Sequence, residues 1–261
     1  MRLVLVALLL GSSTFAFAQP VPPTAPEPTT QEGSSLQLRA GIGFGRYGES
    51  GAGWKWESNL QPFALVGAEG VFPAGRGHLV LQGQAGFGSD VHMTSQGQLM
   101  QENDFHQQIF EGSPRYRHPL SPTVYLEVGY RFTYQRLFFT NIPMLGSALE
   151  EVSVHAFEGG IGWRRTDLDG AARHVAFTLG LNRGSAENDR IMGEDFTASG
   201  LSLNARAGKR WASGFQIEAQ YAYRKQNGSD VANVLFDGME ATAQWPKNTT
   251  WQLVGVIGFA L

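Results

Sequence analysis

The feature that most restricts the fold of this sequence is an alternation of apolar and polar residues with a period of two. Its clearest stretch runs from Val124 to Tyr134, where every second residue is apolar or aromatic and most of those between are polar. Such a stretch matches the ~9–11 residues of a tilted transmembrane strand. The pattern recurs, with different regularity, in the ranges 36–44, 64–72, 79–87, 157–164, 174–182, 201–208 and 215–224. It predicts an all-β protein.

The links between these segments alternate in length. Short, turn-rich links fall at 73–77, 118–122, 166–171 and 209–214, and longer polar links at 46–58, 88–104, 139–151, 184–197 and 226–249. With a poorly patterned strand admitted near 104–117, the sequence predicts a single antiparallel up-and-down transmembrane β-barrel of about ten strands, with eight or twelve as alternatives. A soluble β-sandwich, which also alternates apolar with polar residues, is the competing architecture.

The N-terminal region divides the chain into three parts. Residues 1–18 combine Arg2, an uncharged apolar run and the Ala16-Phe17-Ala18 sequence, which predicts a cleaved signal peptide. Residues 19–35 hold five of the 12 prolines and predict a disordered linker. Residues 36–261 then form the barrel. The chain has no Cys, so neither a disulfide framework nor a thiolate metal site is available.

Charge and motif content argue against several function classes. The chain carries 20 Lys plus Arg against 23 Asp plus Glu, a net charge of −3, which disfavours nucleic acid as a partner. The six His are dispersed, without the spacing of a metal site. Phosphate-binding loops, dinucleotide fingerprints and nucleophile elbows are also missing from the sequence. We therefore expect no cofactor and no bound metal.

The C-terminal segment resembles a known family. Trp251, Leu253, Ile257, Phe259 and Leu261 alternate up to the last residue. This is similar to the closing strand of bacterial outer-membrane β-barrels, among them the small barrels of the outer-membrane protein A-like and opacity types, although no subfamily is matched. The family usually ends in Phe, and Leu261 takes that place here. The resemblance implies a monomer in a Gram-negative outer membrane, surrounded by lipid and lipopolysaccharide, and inserted by machinery that reads the last strand.

The polar face of the alternation is expected to line the lumen. It carries both signs of charge in comparable number on the following residues: Arg39, Glu69, Glu127, Arg131, Glu158, Arg164, Arg206, Glu218 and Arg224. Ten strands enclose a narrow interior, so these side chains are expected to pair and fill it as a polar plug, with Glu127 and Arg131 as natural members. A narrow path for ions or small solutes is the first alternative, and a catalytic carboxylate pair is a weaker one.

Two residue pairs suggest enzymes. Asp104-Phe105-His106 resembles the Asp-x-His pair of the omptin proteases, which are ten-stranded surface barrels, but the second acidic pair of that family has no adjacent counterpart here. Ser153 and His155 share one face, as lipid A acyl-modifying barrels would need. Neither pattern is specific, so we expect a non-enzymatic barrel with a structural or surface-interaction role, for which the sequence assigns no extracellular ligand.

Overall fold

The computed structural model describes residues 34–51, 54–97, 102–142, 146–192 and 195–261; the expected signal peptide and nearly all of the linker lie outside them. The described part consists of strands, which are β1 (Ser35–Gly51), β2 (Trp54–Ser58), β3 (Gln61–Ala74), β4 (Gly77–Gly88), β5 (Val91–Gly97), β6 (Glu102–Pro119), β7 (Val124–Ile142), β8 (Gly146–Thr166), β9 (Ala172–Asn188), β10 (Ile191–Met192), β11 (Phe196–Arg210), β12 (Phe215–Gln226), β13 (Ala232–Phe236), β14 (Met239–Ala243) and β15 (Lys247–Ala260). Within these ranges, no helix is long and apolar enough to cross a membrane.

Ten of the strands form a closed antiparallel ring. The order is β1-β3-β4-β6-β7-β8-β9-β11-β12-β15, and β15 pairs back onto β1 from Gln37↔Ala260 to Ser50↔Lys247. Sequential ring strands are neighbours throughout, which is the up-and-down arrangement. The prediction of an all-β, ten-stranded transmembrane barrel is confirmed.

The long polar links contain more regular structure than the sequence indicated. β2 and β5 pair with each other and with β1 and β6, and so continue the wall beyond the ends of β3 and β4. The link after β12 forms the β13–β14 hairpin, which joins β10 in a separate three-stranded sheet. Outside a lipid layer the outer face of a strand can be polar. The alternation therefore fades there while backbone pairing goes on. We call this end of the barrel the hairpin end.

The other end carries four short turns and is called the short-turn end. Gly75 and Gly214 lie in two of these turns with φ of 60° and 84°, a conformation that favours glycine. In the turn before β7, Ser121 Oγ accepts hydrogen bonds from the backbone N–H groups of Thr123 (3.3 Å) and Val124 (3.0 Å). Both ways of closing a turn depend on local residues, which is why the sequence located all four.

The two faces of the wall have inverted polarity. Apolar side chains point outward and are strongly exposed, for example Ile42 (78%), Phe157 (73%) and Leu181 (72%). Charged side chains between them are buried, as Glu127 (1%) shows. A water-soluble protein buries the first kind and exposes the second, so the outer belt is suited to lipid and the soluble sandwich is excluded.

A charge placed in the middle of this belt should destabilise the barrel. Val128 lies midway along the outward apolar face of β7 and is 55% exposed. We expect Val128→Arg to lower the free energy of unfolding by ~2–4 kcal/mol, the cost of a guanidinium at the midplane of a bilayer. Urea titration of the refolded protein in lipid vesicles measures it.

Leu36→Arg is the matched control, because Leu36 points outward at the very start of β1. A charge near the interface costs only about 0–1 kcal/mol. Equal effects of the two substitutions would show that this face does not lie in lipid.

Candidate functional site

A network of charged side chains fills the lumen at the short-turn end. We call it the lumen ion network, and its members are Arg39, Glu69, Glu111, Arg115, Arg117, Glu127, Arg131, Glu158, His174, Arg206 and Glu218. Its members come from eight ring strands and occupy inward positions. Arg206 on β11 contacts Glu127 on β7 (2.6 Å) and Glu69 on β3 (3.6 Å), so the network spans the interior from wall to wall.

Glu127 is the most heavily coordinated carboxylate of the network. It accepts hydrogen bonds from Arg117 Nε (2.7 Å), Arg206 (2.6 Å) and Arg115 (3.2 Å). Three guanidinium groups on one carboxylate give a strong, directional arrangement of charge-assisted hydrogen bonds. Glu127 therefore fixes β6, β7 and β11 relative to one another.

A second centre lies around Glu69 and Glu218. Glu69 accepts from Arg39 and Arg115, both at 3.1 Å. Arg39 also donates to Glu218, which is hydrogen-bonded in addition to His174 Nε2 (2.5 Å) and Gln220 (2.6 Å). The two carboxylates thus share one arginine and close the lumen between β1, β3 and β12.

Arg131 forms the third centre, nearer the middle of the barrel. Its Nε and one terminal nitrogen donate to both oxygens of Glu158 (3.0 and 3.1 Å), and the other terminal nitrogen donates to Glu111 (2.5 Å). Asn204 donates a further hydrogen bond to Glu158 (2.9 Å). Next to this centre is a cavity of about 60 Å³, which is large enough for a few water molecules.

The network is balanced in charge. Glu69, Glu111, Glu127, Glu158 and Glu218 face five paired guanidinium groups, and His174 adds a titratable partner. A buried ion is tolerated only when it is paired and hydrogen-bonded. Because each charged group is paired with another charged group of the protein, these side chains stay inside the lumen and fill it.

The structure brings together most of the residues that the sequence placed in the lumen. Glu127 and Arg131 lie on one face, yet each binds other partners. Arg224 lies nearer the hairpin end and donates to Gln135 instead of joining the network. Arg164 lies near the short-turn end of β8 and is not part of the network defined above.

Sequence analysis missed Glu111, Arg115 and Arg117, all on β6. The inward positions of β6 do alternate, from Ile109 through Glu111 to Arg117, but Pro114 and the polar outward residues hide the pattern. His174, on β9, was likewise not assigned to the lumen by the sequence.

Above the network, the lumen at the hairpin end has an apolar core that contains two carboxyl groups. Tyr47 stacks on Phe105 within this core, and Phe139 packs against both rings at an angle. Glu49 accepts a hydrogen bond from the Tyr47 hydroxyl (2.5 Å), and Glu150 accepts one from Trp245 Nε1 (2.9 Å). Both carboxyl groups lie beyond the apolar belt. Burial raises the pKa of Glu49 to about 7, and burial together with the nearby Glu49 raises the pKa of Glu150.

These raised pKa values predict a stability that falls as the pH rises. From about pH 4.5 to about pH 7 the folded protein keeps protons that the unfolded chain has released, so each increase in pH in that window favours unfolding. We expect the double variant Glu49→Gln/Glu150→Gln to lose this slope in urea titrations run across the window. Glu240→Gln, an exposed substitution on β14, should keep it. An unchanged slope in the double variant would show that the pair is ionised in the folded protein.

The Asp104 and His106 side chains point away from the lumen. They alternate on β6 with the buried Asn103, Phe105 and Gln107. Asp104 is bonded to His92 Nδ1 (2.7 Å) and to Asn141, and His106 to Asp90 (2.9 Å). Hydrogen bonds from His92 and Asn141 hold the pKa of Asp104 below its ordinary value. Asp104 and His106 therefore do not pair with each other: each belongs to a separate hydrogen-bonded Asp–His contact on the surface.

Ser153 and His155 lie on the outer face of β8. His155 Nδ1 is hydrogen-bonded to the Tyr130 hydroxyl, and its ring lies 5.1 Å from that of Phe132. Among the described residues, no group of three or more His, Cys, Asp or Glu side chains could hold a metal ion.

Comparison with solved structures shows the class of the fold. The chain resembles the outer membrane protease OmpT from Escherichia coli with a TM-score of 0.61 at 8% identity, over 89% of this chain and 98% of that one. Two autotransporter structures are also similar: the transport unit of AIDA-I from Escherichia coli (TM-score 0.46, 10% identity, 89% and 91% covered) and the β domain of BrkA from Bordetella (0.42, 14%, 88% and 100%). No family model and no curated protein matches the sequence. The protein has the fold of bacterial outer-membrane β-barrels, as its last strand predicted.

Proposed function

We propose that this protein is a non-enzymatic outer-membrane barrel whose lumen is closed and whose hairpin end acts as a rigid surface for interactions. The observation that carries the proposal is the filling of the interior by the lumen ion network at one end and by the apolar core at the other. Such an interior stiffens the wall. The predicted signal peptide, the apolar belt and the fold support a place in a Gram-negative outer membrane, with the short turns in the periplasm.

The non-enzymatic role is supported by the surroundings of the two residues with most resemblance to a catalytic pair. Asp104 and His106 are each bound to a different residue on the outer surface. A general base needs a hydrogen bond to the group that it activates, and Asp104 and His106 make none to each other.

The closed ring supports a monomer. Every ring strand is paired on both sides, so the ring offers no open edge to a second chain. The alternation of β15 up to Leu261 supports recognition of this strand by the insertion machinery before the ring closes.

The proposed state predicts silence in two assays. The refolded mature chain should give no discrete conductance steps in planar bilayers, because paired guanidinium and carboxylate groups occupy the lumen. It should cleave no peptides in the presence of lipopolysaccharide. The Asp104→Asn variant should give the same result as the wild type in both assays. A diffusion porin reconstituted in the same way is the positive control. Conductance steps would favour the narrow-path function, and cleavage lost in Asp104→Asn would favour the protease.

Lipopolysaccharide is the proposed lipid partner, and one half of the outer rim suits its phosphate groups. We call Arg46, Arg183, Lys225 and Lys247 the cationic strip. On β1, β9 and β12 the cation is the first outward residue beyond Phe44, Leu181 and Tyr223. All four side chains are exposed, and none makes an ion pair with any residue that the structure describes. In contrast, Arg136 on the opposite half is paired with Glu151 (3.1 Å).

The strip predicts phosphate-dependent binding. Replacing its four cations by Gln should weaken binding of purified lipopolysaccharide to the detergent-solubilised barrel by about tenfold or more, because each cation near an anionic surface contributes about 1 kcal/mol. Arg136→Gln is the control and should bind as the wild type does. Dephosphorylated lipopolysaccharide should bind the wild type and the quadruple variant alike. A preserved affinity in the quadruple variant would place the lipid contact elsewhere.

A further inference from the structure

A cluster of buried polar side chains without partners lies between the lumen ion network and the apolar core. We call it the amide cluster; its members are Asn182, Arg224, Gln226, Asn248, Thr250 and Gln252. They point inward from β9, β12 and β15. Arg224 is directly opposite Thr250 in the pairing of β12 with β15, and Gln226 is opposite Asn248. The side chains therefore share one patch of the inner wall.

The cluster has an excess of hydrogen-bond donors. Arg224 Nε, Gln226 Nε2, Asn248 Nδ2, Gln252 Nε2 and Asn182 Nδ2 are all buried without an acceptor within the described part of the chain. The buried atoms without a partner beside them include two amide oxygens, those of Asn182 and Gln226, and the Thr250 hydroxyl, so buried donors outnumber buried acceptors among the described residues. Most of these side chains are almost completely buried, Gln226 at 0% and Asn248 at 3%. A buried donor without an acceptor lowers the stability of the folded protein. A bound species that accepts several hydrogen bonds would therefore stabilise the cluster.

Arg224 differs from the arginines of the lumen ion network because no described carboxylate is paired with it. One terminal nitrogen of Arg224 donates a hydrogen bond to the neutral Gln135, and none of the carboxylates that the structure describes lies within ion-pair distance of Arg224. The charge of Glu111 acts on Arg224, but Glu111 is already bonded to Arg131 (2.5 Å) and Gln84 (3.1 Å). The Arg224 side chain is half-buried and its Nε is fully enclosed, and a partly desolvated guanidinium group with no counter-charge favours an anion nearby.

The wall makes room for the amides with glycine. A Cβ added at Gly184 would lie 2.0 Å from Gln226 Nε2, and one at Gly200 would lie 2.7 Å from Asn182 Oδ1. The cavity of about 60 Å³ also reaches the cluster, because Gln252 forms part of its lining. That volume admits a small ion with its waters and excludes a sugar or a nucleotide.

We propose that the amide cluster is a binding site for a small monovalent anion of halide size, held by Arg224 and the amide donors at the hairpin end of the lumen cavity. Water alone would satisfy hydrogen bonds but leave the charge of Arg224 unopposed. The site is independent of the surface role proposed above, since it needs only the folded barrel.

The titratable groups around the site set its pH range. Tyr47 is paired with Thr250 and Glu49 with Asn248 in the register of β1 with β15, and Glu150 lies in the same apolar core. Glu49 is neutral below about pH 7, and a neutral carboxyl group does not repel an anion. Glu111 and Arg131, on the other side, stay bonded to each other. The anion should therefore bind more weakly above pH 7.

The test uses bromide as the probe on the refolded mature chain in detergent. At constant ionic strength, replacing gluconate by bromide should raise the urea midpoint of the wild type in a saturable way, because an ion that binds only the folded state stabilises it by mass action. Arg224→Gln should reduce the bromide affinity by about tenfold or more, as expected for loss of a charged hydrogen-bond donor. Arg136→Gln, which removes a cation from the outer face of β7, should bind bromide as the wild type does.

A second variant keeps the test decisive if Arg224→Gln does not fold. Gln252→Met retains the side-chain volume and removes one hydrogen-bond donor. It should weaken bromide binding, while its urea midpoint in gluconate should stay close to that of the wild type. Crystals soaked in bromide should show an anomalous peak beside Arg224 that is missing from the variant. No saturable bromide effect in the wild type, or the same effect in all variants, would overturn the proposal and leave the cluster filled by water.

Discussion

Closure of the ring is the constraint on which the other features depend. A strand in lipid cannot leave its backbone N–H and C=O groups unpaired, so a sheet can cross a membrane only if its last strand pairs with its first. The pairing of β15 with β1 achieves this from Gln37 to Ser50. Once the ring is closed, the alternation of each strand sends one set of side chains to lipid and the other into a narrow lumen. The polarity of a soluble protein is inverted as a consequence.

A narrow lumen then determines what its side chains do. Long side chains that face each other across ten strands come within bonding distance, and desolvated charges need partners. Glu127 meets this condition with three arginines, and Arg131 with two carboxylates. Towards the hairpin end the inward residues change to Phe105, Leu137 and Val152, where an apolar core replaces the ions. The interior is thus divided into an ionic part and an apolar part, with amides between them.

The sequence was most informative where the environment imposes a period of two. β7 follows the rule along its lipid-spanning part, and its face assignment and the polar position of Glu127 could be predicted. Its continuation to Ile142, into the predicted 139–151 link, could not. β6 could not be read as well because Pro114 and a polar outer face mask its inward alternation. The β13–β14 hairpin was also missed. It lies outside the lipid layer, where the surroundings do not impose an alternation of apolar and polar residues. Partners such as Arg206 for Glu127 depend on strands far apart in sequence, so the sequence could place them on the inner face but not pair them.

Division of the interior also limits where function can lie. The ionic part is saturated by its own charges, and the outer belt is committed to lipid. Three features remain: a half of the rim whose cations make no ion pair with the described residues, a hairpin surface beyond the membrane, and the half-buried guanidinium of Arg224 among amide donors. The first two follow the usual surfaces of a barrel. The arginines of the lumen ion network are all paired with carboxylates, whereas Arg224 is paired with none that the structure describes. A bound anion would supply the missing negative charge, so this position is where a specific ligand would stabilise the barrel most.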